Sequence, residues 1–138
     1  MLVVKPVQNK TVQRELIESC GGKYEEASLA YAACDCEDNE TQKLRHIIGA
    51  CQFRMDHGRG MINLLRTMPG VTDDEAMIIM ARTAMNFLYR CEIQTAEILP
   101  GAADVSLIEK LGFRADENGA FLIDLKKFFF SPCHFQAE

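Results

Sequence analysis

The 138-residue sequence contains no run of lysine or arginine. Fifteen basic residues face twenty acidic ones, a net charge of -5. Nucleic-acid grooves and anionic lipid surfaces need clustered positive charge to release counterions or to dock on headgroups. No nucleic-acid partner and no membrane partner is therefore expected. Long apolar runs are missing as well. The longest fully apolar stretch, 76–81, ends at Arg82, far short of the roughly 20 residues that cross a bilayer. The opening Met1-Leu2-Val3-Val4-Lys5-Pro6 has too short an apolar run, and no small-residue cleavage site follows it, so no signal peptide is expected. The expected compartment is the cytoplasm.

Internal repeats and linkers are lacking, and one core of ordinary domain size fits a chain of this length, giving a single domain over 1–138. The apolar fraction of 48% and charged fraction of 25% exclude a disordered or collagenous chain. The six cysteines should be reduced thiols in a chain read as cytoplasmic. Their spacing lacks the knuckle of a structural zinc site: Cys34 and Cys36 share a strand face, with Cα atoms about 6.6 Å apart on straight backbone. Cys20, His46 and Cys51 are the other soft ligands in reach of that pair in principle. Buried thiols are the simpler expectation, and no metal is expected.

What is present alternates between the two periods of regular structure. Residues 2–5 form a β-branched run stopped by Pro6. Asn9 or Thr11 can cap a helix that carries Leu16, Ile17 and Cys20 and ends at Gly21-Gly22. Residues 28–36 alternate as a strand, 37–45 are polar and read as a loop, and 46–66 read as a hairpin turning through Asp56-His57-Gly58-Arg59-Gly60. Thr72-Asp73-Asp74-Glu75 matches a capping box with Thr72 as cap. Met77, Met80, Ala81, Ala84, Met85 and Leu88 then form one apolar helical stripe ending near Arg90. Residues 93–98 read as a strand and 104–111 as a short helix capped by Asp104 and stopped by Gly112. A second hairpin turns through Asn118-Gly119 into a long strand, 121–129. The order β-α-β-β-β-α-β-α-β-β makes an α/β (α+β) fold with a mixed, mainly antiparallel sheet flanked by helices.

Three strings resemble the GNAT acyltransferases, the acyl-CoA N-acyltransferase superfamily. Ile48-Gly49-Ala50-Cys51-Gln52-Phe53 is similar to that family's third strand. Leu64-Leu65-Arg66-Thr67-Met68-Pro69 is similar to its fourth strand and the proline after it. Leu107-Ile108-Glu109-Lys110-Leu111-Gly112-Phe113 resembles its Tyr-Glu-Lys-Leu-Gly-Phe signature. The resemblance implies acetyl-CoA bound where the fourth and fifth strands splay apart and an acetyl group moved to a small-molecule amine. It also implies cofactor contacts at Leu65, Arg66, Thr67 and Thr72, and an acceptor pocket formed by loops 37–46 and 99–104.

Two departures go with it. The family's Arg-x-x-Gly-x-Gly/Ala loop holds the pyrophosphate on bare amides at a helix start. Counted from Pro69, its Arg falls at Thr72 and its small positions at Glu75 and Met77, and the helix start carries Asp73, Asp74 and Glu75 instead. A like-charge pair about 6 Å apart costs roughly 3 kcal/mol at an effective dielectric near 20, before screening. Altered or impaired cofactor binding is the expectation. The family's general-acid tyrosine falls at Ile108, which has no proton to give. The stand-ins are Tyr89 or Tyr31 as acid and Glu97 or His57 as base, with Glu97 and Tyr89 the preferred pair. The alternative to an enzyme is a catalytically inactive ligand-binding or interaction module. The phenylalanines 128–130 and Phe135 point to a homodimer through the C-terminal strand and tail.

Overall fold

In a computed structural model that describes residues 1–35 and 46–130, the chain runs β1 (Leu2–Pro6), α1 (Lys10–Ser19), β2 (Leu29–Asp35), β3 (Ile47–Asp56), β4 (Arg59–Thr67), α2 (Asp74–Arg90), β5 (Thr95–Ile98), α3 (Val105–Lys110), β6 (Arg114–Ala115), β7 (Phe121–Asp124) and α4 (Leu125–Phe130). The strands form one seven-stranded sheet in the order β1-β2-β3-β4-β5-β7-β6. Every pairing is antiparallel except β4 with β5, which is parallel. The mixed α/β architecture read from the sequence is therefore present. The loop expected at 37–45, Cys36, and the tail through Phe135 lie outside the described residues.

Helices cover both faces because each carries one apolar stripe. The α2 stripe is the expected one: Met77, Met80, Ala81, Ala84, Met85 and Leu88 are all buried against Phe53, Ile62, Leu65, Ala96 and Ile98. On the other face Leu16 and Ile17 of α1 pack on Ala30, Ala32, Ala50 and Leu64. Asn9 caps α1 by accepting from Val12 N–H at 3.1 Å, and buried Gln52 fixes the segment after α1 by donating to Lys23 O and accepting from Glu25 N–H, both at 3.0 Å. The β3–β4 hairpin turns on His57 and Gly58, both at positive φ, and Gly112 ends α3 in the left-handed region at φ 101.

Three expectations are corrected. The cap of α2 is Asp73, not Thr72: the Asp73 carboxylate accepts from Ala76 N–H at 3.0 Å, so the helix starts one residue later. Charge explains the choice, since an aspartate offers the helix end a full negative charge where threonine offers a hydroxyl. The strand at 93–98 is shorter, Thr95–Ile98. The long strand at 121–129 is β7 followed by α4, because Asp124 accepts from Lys127 N–H at 3.0 Å and starts a helical turn. That turn sets Phe129 against Tyr89, ring centroids 5.3 Å apart. Alternation in the sequence does not distinguish this turn from more strand.

Burial also governs the thiols. Burial pushes Cys51 up to about 12 and, countered partly by Arg66, Cys20 up to about 11, from an ordinary 9.0. The folded state keeps these protons to higher pH than an unfolded chain does, so it binds more protons between pH 9 and 12. Stability present below the ordinary thiol value is lost as pH rises through that window. Urea midpoints should fall between pH 9 and 11, and Cys51→Ala should show a shallower fall; an unchanged slope would sink this account. Alkylating reagents should reach exposed Cys91 in the native protein and Cys20, Cys34 and Cys51 only after unfolding.

Candidate functional site, a cleft at the fork between β4 and β5

The parallel pair is short. Gly60, Met61 and Ile62 of β4 lie beside Ala96, Glu97 and Ile98 of β5, after which Leu99 N–H donates to Ile62 O at 3.0 Å and the strands diverge. At the point of divergence β4 carries a bulge. Gln52 pairs with Leu64 while Phe53 pairs with Ile62, leaving Asn63 as the extra residue. A bulge bends its strand and re-aims the side chains beyond it. Leu64 consequently enters the core under α1 and Leu65 the core under α2.

The opening holds a cleft of about 420 Å³. Leu65, Arg66 and Thr67 line one wall, Met77 of α2 the floor with exposed Asp74 at the rim, and Gly101, Ala103, Asp104 and Leu107 the wall beyond. Met68 N–H donates to Ile48 O at 2.7 Å, and antiparallel alternation then turns the Leu65 and Thr67 N–H groups toward the fork. One of the two is taken: Leu65 N–H donates to Ala102 O at 2.9 Å. Arg66 donates from Nη2 to Gly101 O at 2.6 Å and from Nη1 to Gly21 O at 3.2 Å. The α2 end of the cleft is acidic. Asp74 is paired to Lys110 at 3.3 Å, both side chains about half exposed, a geometry that adds little to stability. Asp73 occupies the Ala76 amide.

Of the residues read as cofactor contacts, Leu65, Arg66 and Thr67 line the cleft, whereas exposed Thr72 precedes the helix cap and Asp74 takes the place at the rim. Tyr89 lies fifteen residues along α2 from Asp74, about 22 Å away at 1.5 Å per residue, and packs on Phe129 and Phe130. Glu97 sits on β5 just before the fork, on the face opposite Ala96 and Ile98, and its carboxylate accepts from Arg59 at 3.1 Å. His57 is exposed in the hairpin turn beside Asp56. Tyr31 stacks on Phe53 with centroids 5.4 Å apart, and burial raises its hydroxyl. Ile108, at the family's general-acid position, is buried in the core. Asp74 was read in the sequence as part of the acidic helix start, Asp104 as a helix cap and Gly101 only as part of loop 99–104; the fold brings all three into one cleft. Loop 99–104 lines this cleft, and loop 37–45 lies outside the described residues. Among the described residues no cluster of three metal-ligating side chains occurs, and no helix is long and apolar enough to cross a membrane.

A mixed sheet that forks between its fourth and fifth strands, here a parallel pair, is what the resemblance led us to expect, and comparison with solved structures shows the GNAT fold over most of the chain. The spermidine N-acetyltransferase of Vibrio cholerae, from a dodecameric structure, superposes with a TM-score of 0.68 at 11% identity, covering 95% of this chain and 98% of that one. A Bacillus subtilis acetyltransferase in complex with CoA gives 0.65 at 15% identity over 90% and 99%. A chain of the NatC complex bound to Gag peptide and CoA gives 0.61 at 18% identity over 89% and 98%. No family model matches the chain, and no curated protein matches its sequence.

Proposed function

We propose that this chain is a divergent N-acyltransferase that takes an acyl thioester in the β4–β5 cleft and transfers the acyl group to a small-molecule amine. The observation that carries the reading is the fork itself: a cleft of about 420 Å³ beside β4, whose Thr67 amide turns toward the fork and whose Leu65 amide turns the same way but is held by Ala102 O. Backbone N–H groups so aimed can stabilise the oxyanion that develops when an amine attacks a thioester carbonyl. Acetyl-CoA would supply an activated acetyl group and a thiolate leaving group. The residues present fit its two ends differently. Thr67 and, once released from Ala102, Leu65 suit the amide-rich pantetheine arm. The pyrophosphate has no glycine loop and meets Asp74 at the rim and Asp73 on the helix amides. Glu97, close to the fork, would accept the proton of the amine after leaving Arg59. Tyr89, at the far end of α2, has no part in this scheme.

The bond from Leu65 N–H to Ala102 O favours a second reading, a catalytically inactive binding module with its notch filled by its own loop. Calorimetry separates the two. S-acetylpantetheine should bind at least as tightly as acetyl-CoA, and Asp74→Asn should improve acetyl-CoA binding by about threefold, a screened fraction of the full like-charge cost. No binding of either thioester at millimolar concentration would defeat the enzyme reading. On this reading the protein works in the cytoplasm and self-associates through its C-terminal end, where Phe130 is 61% exposed. Sedimentation should show a dimer that Phe130→Asp weakens, and a monomer at all concentrations would exclude it.

A further inference from the structure

Arg66 ties three segments together at the fork. Its two guanidinium arms reach Gly101 O at 2.6 Å and Gly21 O at 3.2 Å, joining β4 to the loop after β5 and to the end of α1. The planar fork of an arginine can hold two carbonyls in fixed directions at once, which the single ammonium of lysine does poorly. Gly101 is at φ 87, a conformation glycine adopts without strain. The next residue, Ala102, is 3% exposed, and its carbonyl covers Leu65 N–H. The 99–104 loop is thus anchored on its inner side by Ala102 and on its outer side by Arg66.

We infer that Arg66 controls access to the Leu65 N–H, and with it how far along β4 an acyl donor can bind. With Gly101 pinned, the Ala102 carbonyl stays against β4 and a donor reaches only the Thr67 end of the strand. With Gly101 released, a donor that carries its own amide carbonyl replaces Ala102 as acceptor, one hydrogen bond exchanged for another. A thioester without such an amide offers Leu65 N–H only its thioester carbonyl, a weaker acceptor than the amide carbonyl of Ala102. Release of the pin therefore favours donors that carry an amide over those that do not. The donor half of the inference rests on the acyltransferase reading, whereas the pin does not.

Amide hydrogen exchange on the full chain tests it. Arg66→Ala should accelerate exchange at Leu65 by about tenfold, the loss expected for one charge-assisted hydrogen bond, while amides of the β2–β3 ladder stay unchanged. Arg66→Lys, which keeps the charge but not the double reach, should accelerate Leu65 as well. S-acetylpantetheine should then bind Arg66→Ala several-fold tighter than the parent, and S-ethyl thioacetate, whose only acceptor is the weaker thioester carbonyl, should gain less. Unchanged Leu65 exchange in both variants would overturn the inference, as would acceleration spread evenly over the sheet. Faster Leu65 exchange with no thioester bound by any form would uphold the pin and remove the acyl-donor reading.

Discussion

Alanine at Gly49 should lower the free energy of unfolding by about 3 kcal/mol, the upper end of what overpacking costs, and should distort the cleft as well. Gly49 pairs with Thr67 across β3 and β4. A Cβ there would sit 2.3 Å from the Arg66 carbonyl oxygen, 2.9 Å from the Thr67 Cα and 2.7 Å from the Met77 Cε. Methionine can swing aside, but two of the three contacts are backbone of the strand that forms the cleft wall. The strands must separate at Arg66 and Thr67, which line the cleft. A control is available in Gly58, where an added Cβ meets nothing but φ is 77. Gly58→Ala should cost only the left-handed backbone penalty, about 1 kcal/mol. Urea denaturation of the two variants reads the difference; a Gly49→Ala protein as stable as its parent would show that β3 and β4 do not approach this closely.

Truncating Phe53 to alanine should cost about 4 kcal/mol, within the range for a large buried aromatic. Phe53 is 1% exposed and stands where three elements meet. It stacks on Tyr31 of β2 at 5.4 Å and meets Phe87 of α2 edge-on at 5.8 Å. Such ring pairs add to the burial term. It also faces the bulge, because the register slips between Gln52 and Phe53 to leave Asn63 unpaired. Loss of the ring therefore leaves a cavity behind the place where β4 bends toward the cleft. Phe53→Leu, which keeps most of the volume, should cost about 1.5 kcal/mol or less. Equal losses for leucine and alanine would mean that ring geometry rather than volume holds this site.

Much of the frame was legible because it depends on neighbours in sequence. The α2 stripe repeats every three or four residues, so its buried set follows from helical period alone. Asn9 and the turn residues His57 and Gly58 act within a few positions of themselves, as does Gly112. That Leu65, Arg66 and Thr67 stand together was legible through their string and proline, and the structure places all three on one wall of the cleft. Other features depend on partners distant in the chain. Tyr89 is a plausible acid in sequence, yet helix length carries it away from the fork toward Phe129. The 121–129 segment reads as one strand until Asp124 caps a turn whose phenylalanines have Tyr89 to pack on.

The sequence by itself determined the order of elements as far as β7, the mixed sheet and the acidic start of α2, since period, turn chemistry and charge are local properties. Tertiary structure alone decided what fills the fork. The bond between Leu65 and Ala102 and the double reach of Arg66 join residues 35 to 45 positions apart. Such contacts arise from how β4 and β5 diverge, and no local pattern in either segment encodes their distance or direction.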